Sequence, residues 1–384
     1  MPLYNIDRKL ASQEGSIRTA EYSESNKDLI FKFERYLFLE GIKKVRVLKY
    51  LNQLNLIAST FDFEFKDATR DDIEFLVEAI VKSDRSEWTK YDYFVTIKRF
   101  FRWMNKGKDP ELTAWIKPKV RNPNKLPEEM LTEAEVKQMI EAAVHPRDKA
   151  LVATMWDAGG RVGEIGEIKI KHVAFDKYGV VLVVDGKTGM RRVRLVFSAP
   201  YLASWLDIHP GKHNPEDYVW VGIGQRGRGK QLNYSAIRML IKRLAKKAGI
   251  KKRVYNHLFR HSRSTDLAQY LTESQMKEHL GWEQSSKMAG IYVHLSGKQI
   301  DKAILKMHGI VDEEELKPKL TSVECPRCKH VNGSTSGFCS MCGMALTIES
   351  AVDVEKKRSD ISMALMELVE KDPEVAEILR KVMD

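Results

Sequence analysis

Through the first hundred residues, apolar positions recur every three or four. Leu29, Ile30, Phe33, Tyr36 and Leu37 form one stripe that Gly41 closes, and Val47, Leu48, Leu51, Leu54 and Ile57 form a second. Thr69, with Asp72 three residues on, is an N-cap signature ahead of Ile73, Leu76, Val77 and Ile80. A fourth stripe runs through Tyr91, Phe94, Val95, Ile97, Phe101 and Met104. This 3.6-residue period marks helices that bury one face, and a cap supplies an oxygen to backbone donors with no partner in the first turn. The spacing therefore predicts a helical unit over residues 23–106. Residues 1–22 are polar and aperiodic, and read as a loose arm. Lys98, Arg99 and Arg102 lie among the aromatics of the fourth stripe and suit either a solvated or a phosphate-contacting face.

From residue 107 to 130 the period is lost. Pro110, Pro118, Pro123 and Pro127 alternate with Lys106, Lys108, Lys117, Lys119, Arg121 and Lys125. Proline removes backbone donors and disfavours helix in the residue before it, so this is a basic linker. A second domain is expected over residues 131–310. It opens on Thr132 and Glu135, a capping box before Val136, Met139 and Ile140, and continues through Leu151, Val152 and Met155. The period then shifts to two. Val180 to Val184 and Arg191 to Phe197 read as paired strands around Gly186-Lys187-Thr188-Gly189, with Val193, Leu195 and Phe197 alternating with Arg192 and Arg194. The fold class predicted is mainly α with a small β-hairpin or sheet (α+β). A cysteine-containing module at 318–348 and a helical tail at 349–384 complete the chain. The tail carries Val354, Ile361, Leu365, Leu368 and Val369, then a short helix after Asp372-Pro373 with Val375, Ile378, Leu379 and Val382.

Composition sharpens this picture in two places. At 384 residues with 43% hydrophobic content, the chain is long enough for two or three cored domains. Its net charge is +11, and the excess is concentrated: residues 225–264 contain no Asp or Glu but many bases, among them Arg238, Lys242, Arg243, Lys246, Lys247, Lys251, Lys252 and Arg253. One-sided charge repels itself unless a polyanion neutralises it, so a nucleic acid is the expected partner. No apolar run is long enough for a membrane span, and Met1-Pro2-Leu3-Tyr4 does not open a signal peptide, so a cytoplasmic protein is expected.

The candidate chemistry centres on Asn256 to Leu295. His257 and Arg260, three apart, share one face of a helix and can address the same anion. The guanidinium offers a planar fork matched to phosphate oxygens. One helical element later stands Tyr292, whose hydroxyl can attack phosphorus once that anion is stabilised. Tyr255 and Tyr270 are rivals for the nucleophile; the first sits too near His257, and the second is at core spacing with Leu267 and Leu271. His261, His279 and His294 are rivals for the histidine role, and a satisfied structural histidine is the commoner fate for each. Arg161 follows Gly159-Gly160 and an apolar helix, which argues for a buried loop.

Taken together, Gly160-Arg161-Val162-Gly163-Glu164, Gly186-Lys187-Thr188-Gly189, His257-Leu258-Phe259-Arg260-His261, Leu280-Gly281-Trp282 and Ile291-Tyr292 resemble, in order and spacing, the tyrosine recombinases, or phage-type and archaeal-type integrases. The resemblance is clear from about Thr132 to Ile304 and extends to residues 23–106 as that family's helical core-binding domain. It implies a site-specific recombinase or integrase of a mobile element that joins Tyr292 to DNA as a 3′-phosphotyrosine, without ATP or a catalytic metal. Arg161 and Arg260 would clamp the non-bridging oxygens. His257 would donate to the phosphate or assist proton removal, and Lys187 would protonate the leaving oxygen. Trp282 stands where most relatives have a second histidine and would donate through its indole N–H. Glu164 would position Arg161. The implied partner is double-stranded DNA, bound by a homotetramer on paired sites. A type IB-like topoisomerase, relaxing any supercoiled DNA as a monomer, and a catalytically silent DNA-binding regulator are the alternatives.

The only four cysteines are Cys325, Cys328, Cys339 and Cys342, in two C-x-x-C pairs with Gly343 following the second. Four thiolates in close pairs suit tetrahedral structural zinc, with no open position for catalysis. The pattern resembles small zinc ribbons.

Overall fold

The computed structural model describes residues 3–119, 129–186, 188–295, 305, 308 and 320–371. The chain splits near residue 125 into two compact units, with Leu3 counted in the second. Residues 120–128 of the basic linker, Lys187 at the hairpin tip, and the short helix expected around Val375 to Val382 lie outside the described residues.

The first unit is helical: α1 (Ile6–Arg18), α2 (Glu24–Leu39), α3 (Lys44–Thr60), α4 (Arg70–Lys82), α5 (Glu87–Met104) and the short α6 (Glu111–Ala114). The four expected stripes become α2 to α5, and Thr69 and Asp72 form the expected capping box at the start of α4. Phe33 sits at the centre, with its ring 5.2 Å from both Phe100 and Trp103. One expectation is corrected. The first 22 residues are not a loose arm, because Ile6–Arg18 is a helix capped by Asn5, whose side chain accepts from the Arg8 N–H. Only Leu10 and Ile17 of that helix are buried, and two positions seven apart leave no visible stripe. The basic residues of α5 are engaged within the unit: Arg99 pairs with Glu40 at 2.6 Å and Arg102 with Asp109 at 2.6 Å, while Lys98 donates to the Thr113 and Ala114 carbonyls.

The second unit carries α7 (Glu133–Ala142), α8 (Pro146–Ala158) and α9 (Val162–Gly166). An antiparallel sheet follows, in the order β1 (Val173–Asp176), β2 (Gly179–Gly186), β3 (Gly189–Leu195). Then come α10 (Ala199–Asp207), α11 (Tyr234–Lys247), α12 (Asn256–Leu267), α13 (Glu273–Leu280) and α14 (Met288–Leu295). Thr132 and Glu135 cap α7 as expected. Helix α8 is buried from Ala150 to Ala158 and packs against α7, α10, α12 and β3, so it forms the axis of this unit. The expected hairpin is present, with a third strand, β1, beside it. Gly186 pairs with Gly189 at the end of the β2–β3 ladder. Val193 and Leu195 are buried between exposed Arg192 and Arg194. The observed architecture is therefore the α+β class that the periodicity predicts.

Beyond residue 320, β4 (Val323–Glu324) and β5 (Val331–Asn332) pair in a small module docked on α10. Tyr201 of α10 accepts the Thr335 N–H at 3.0 Å. A Cβ on Gly333 would fall 2.4 Å from the Tyr201 ring, so only glycine permits this approach. The final described helix, Ile348–Lys371, is the expected amphipathic one; its Ile361, Leu365 and Leu368 are exposed.

Candidate active site

Four separated segments converge on one open cavity of about 540 Å³. Its lining includes Arg161, Thr188, His257, Arg260, Trp282 and Tyr292. Arg161 is placed by the end of α8. Gly159 closes that helix in the left-handed conformation (φ 55°), and Arg161 then starts α9. A Cβ on Gly159 would lie 3.0 Å from Leu280 and 3.2 Å from Arg263, so the turn packs directly against α12 and α13. Glu164, buried in the first turn of α9, accepts the Arg161 N–H at 2.9 Å and its Nη1 at 2.7 Å. The guanidinium remains one-third exposed toward the cavity.

Arg260 is 2% exposed and held by main chain, with Nη1 donating to the Gly159 carbonyl at 3.2 Å and Nη2 to the Leu280 carbonyl at 2.7 Å. Its charge also lies 5.4 Å from the centre of the Trp282 ring. Burial, and next the like charge of Arg161, push its pKa down to about 10, so it stays protonated at neutral pH. His257, one turn ahead of Arg260, is exposed at the cavity rim.

Tyr292 on α14 is 3% exposed. Trp282 stacks on it with ring centres 5.5 Å apart and planes within 7°, so two rings fix the phenol's plane. Burial pushes the phenol pKa up to about 12, against the opposing charge of Arg260, and the hydroxyl is therefore protonated at neutral pH. Its oxygen lies 2.5 Å from His261 Nδ1. His261, one of the rivals for the histidine role, thus touches the candidate nucleophile. For His279, burial, then the charges of Arg263 and Arg191, push the pKa down to about 4. Tyr270, expected at a core position, is 42% exposed; it lies beyond the end of α12, where the helical register no longer directs it inward.

Arg191 on β3 was missed by sequence reasoning. Its Nη2 donates to Glu164 Oε2 at 2.8 Å and its Nε to the His279 carbonyl at 2.9 Å. Thr188, beside Lys187, reaches the Gly281 carbonyl at 3.4 Å. The hairpin base is thereby tied to the turn that carries Trp282. The only signal in the sequence was a basic residue close to the turn, and hairpins commonly carry one.

The cysteines form a second cluster. All four sulfur atoms lie within 4.8 Å of one another, with Cys325 and Cys342 at 3.6 Å and Cys328 and Cys339 at 3.5 Å. The two knuckles repeat each other's geometry. Lys329 N–H donates to the Cys325 carbonyl at 2.9 Å, as Gly343 N–H does to that of Cys339, and both residues have positive φ (62° and 70°). Gly343 thus occupies the tight turn expected of it. Backbone N–H groups of Cys328 and Arg327 hold the Cys325 thiol below its ordinary pKa, which favours the thiolate a metal would need.

Residues 129–299 match the family model described as the phage integrase family. The chain is 30% identical over 287 residues to the tyrosine recombinase XerA of Pyrococcus horikoshii, an overlap of 73% of this chain and 94% of that protein. Its fold is similar to that of the XerH site-specific recombinase bound to a palindromic difH substrate in a post-cleavage complex. There the identity is 18% and the TM-score 0.52, over 80% of this chain and 99% of that one. It is likewise similar to a lambda integrase tetramer bound to a Holliday junction, at 15% identity and a TM-score of 0.57, over 71% of this chain and 78% of that one.

Proposed function

The chain belongs to the phage integrase family of tyrosine recombinases, enzymes that cleave and rejoin DNA, and from that premise we propose which residues do the work here. Tyr292 attacks the scissile phosphorus and becomes joined to the 3′ side, releasing a 5′-hydroxyl. Retaining the bond energy in a phosphotyrosine lets the exchanged strand be resealed without an external energy source. Arg161 and Arg260 hold the non-bridging oxygens as negative charge builds on them, with Glu164 and two carbonyls fixing the guanidinium planes. His257 donates to the phosphate from the rim. Trp282 contributes its indole N–H and the stacking surface for the phenol. Lys187 at the hairpin tip protonates the 5′-oxygen.

The observation that carries this reading is convergence: Arg161, His257, Arg260, Trp282 and Tyr292, spread over 131 positions from residue 161 to 292, line one cavity. The test is a nicked suicide substrate from which the leaving strand diffuses away. Wild-type protein is expected to accumulate a covalent adduct, and Tyr292→Phe to bind the same DNA without forming any. An adduct with Tyr292→Phe would show that another residue is the nucleophile.

Wider assignments follow the same premise. The first unit serves as a core-binding domain, the second as the catalytic domain, and the working form is a homotetramer on paired double-stranded sites. The shared fold with the tetrameric lambda integrase supports that assembly. A mobile-element integrase acting on cytoplasmic DNA is the physiological reading; among the described residues no helix is long and apolar enough to cross a membrane. The four sulfurs hold a structural zinc ion. A tetrahedron with Zn–S bonds of about 2.3 Å has edges of about 3.8 Å, close to the two sulfur separations above.

A further inference from the structure

We propose that His261 is a further catalytic residue, the base that takes the phenolic proton of Tyr292 as its oxygen attacks phosphorus. The proposal rests on Tyr292 being the nucleophile. The Oη–Nδ1 separation of 2.5 Å is within reach for direct transfer. With the imidazole proton on Nε2, Nδ1 is the acceptor and the phenol the donor.

The surroundings favour this division of labour. His257 and His261 are one helical turn apart on α12, and their rings meet edge to face at 4.5 Å. His257 lies on the cavity rim, where a phosphate would sit, while His261 reaches the buried phenol. A phenol with a pKa of about 12 ionises too rarely at neutral pH to attack unaided. Arg260 and Tyr255 act electrostatically on Tyr292. On α8, Asp157 accepts from Ser198 and lies 3.6 Å from Arg263, and on α13, Lys277 lies 3.8 Å from Glu273.

The step balances. The Oη–H bond breaks with its proton passing to Nδ1, the Oη–P bond forms, and the P–O5′ bond breaks with the 5′-oxygen taking a proton from Lys187. Resealing returns both protons.

Single-turnover cleavage of the nicked suicide substrate by the full chain tests this against Tyr292→Phe and Lys187→Ala. His261→Asn retains a hydrogen-bonding group near the Nδ1 position but cannot titrate, and His261→Ala retains neither. Both are expected to bind DNA normally, to cleave about 10²- to 10³-fold more slowly at neutral pH, and to lose the acid limb of the pH–rate profile. A substrate with sulfur in place of the bridging 5′-oxygen needs no acid to leave. It is expected to rescue Lys187→Ala and not the His261 variants. If His261→Asn cleaves at the wild-type rate with the acid limb intact, or if the sulfur substrate rescues it, His261 is not the base. An adduct with Tyr292→Phe would instead overturn the nucleophile on which the proposal depends.

Discussion

Glu164 accepts two hydrogen bonds from Arg161. It is 5% exposed and sits between two guanidinium groups, Arg161 on its own turn and Arg191 from β3. Burial alone would raise its pKa, but hydrogen bonds and charge from Arg191, and then from Arg161, outweigh it and hold the carboxyl below its ordinary value. A depressed carboxyl stabilises the fold above its unfolded pKa, and that contribution is lost as pH falls through the folded value. Glu164→Ala leaves Arg191, whose side chain is 10% exposed, without its carboxylate. Removing one partner of such a pair costs about 3–5 kcal/mol. Urea unfolding at pH 7 is expected to show a loss of that size, and the gap between variant and wild type to narrow only once the pH drops below about 4.5, the ordinary carboxyl value. A gap that is unchanged at low pH would mean that the ion pairs do not supply the stability. The tie between Glu164 and Arg161 was legible because three residues separate them on one turn. That between Glu164 and Arg191 was not, because it depends on the register of a sheet 27 positions away. His261 was hidden for a related reason: nothing in a sequence tells which of two histidines on one helix face a distant phenol will meet.

At the scale of elements, the cysteine module shows which features a sequence can carry. Its four clustered cysteines could be read from spacing alone, since each C-x-x-C pair closes over its own turn and needs no distant partner. Its docking on α10 could not. Tyr201 reads as one more apolar position on α10, and only the structure brings its hydroxyl to Thr335 and its ring against Gly333. Metal analysis of protein purified without chelator is expected to find one zinc ion per chain, and none in Cys339→Ser. Stripping the ion leaves four thiols, two of them buried, with no shared ligand. Hydrogen exchange over residues 323–346 is then expected to rise to that of an open segment, while α8 stays protected by its own burial. Wild-type protein free of zinc, with the module still protected, would leave a metal-independent fold as the explanation.

For the whole molecule, the uneven charge acquires a location. Helix α11 turns Ile237, Leu240, Ile241 and Leu244 into the core, which leaves Arg238, Lys242, Lys246 and Lys247 exposed. Among the described residues, no carboxylate pairs with any of these four. Others of the acid-free stretch are neutralised from outside it: Arg243 lies 3.6 Å from Asp148, Lys252 2.9 Å from Glu135, and Arg263 3.6 Å from Asp157. The unpaired set includes Arg238, Lys242 and Lys246, four residues apart and so in one row along the helix. If that row meets DNA backbone, each contact releases condensed counterions, and affinity falls with salt by about 0.9 log unit per log unit of salt for every phosphate neutralised. Arg238→Gln combined with Lys242→Gln is expected to weaken binding on all DNA sequences alike, because phosphate contacts carry no sequence information. The slope of log affinity against log salt should become shallower by about two. Fluorescence anisotropy between 50 and 200 mM salt, on a specific and a scrambled duplex, reads both quantities. An unchanged slope would assign the row to solvent. A loss confined to the specific duplex would mean that these side chains reach bases, and that α11 reads sequence instead of gripping the backbone.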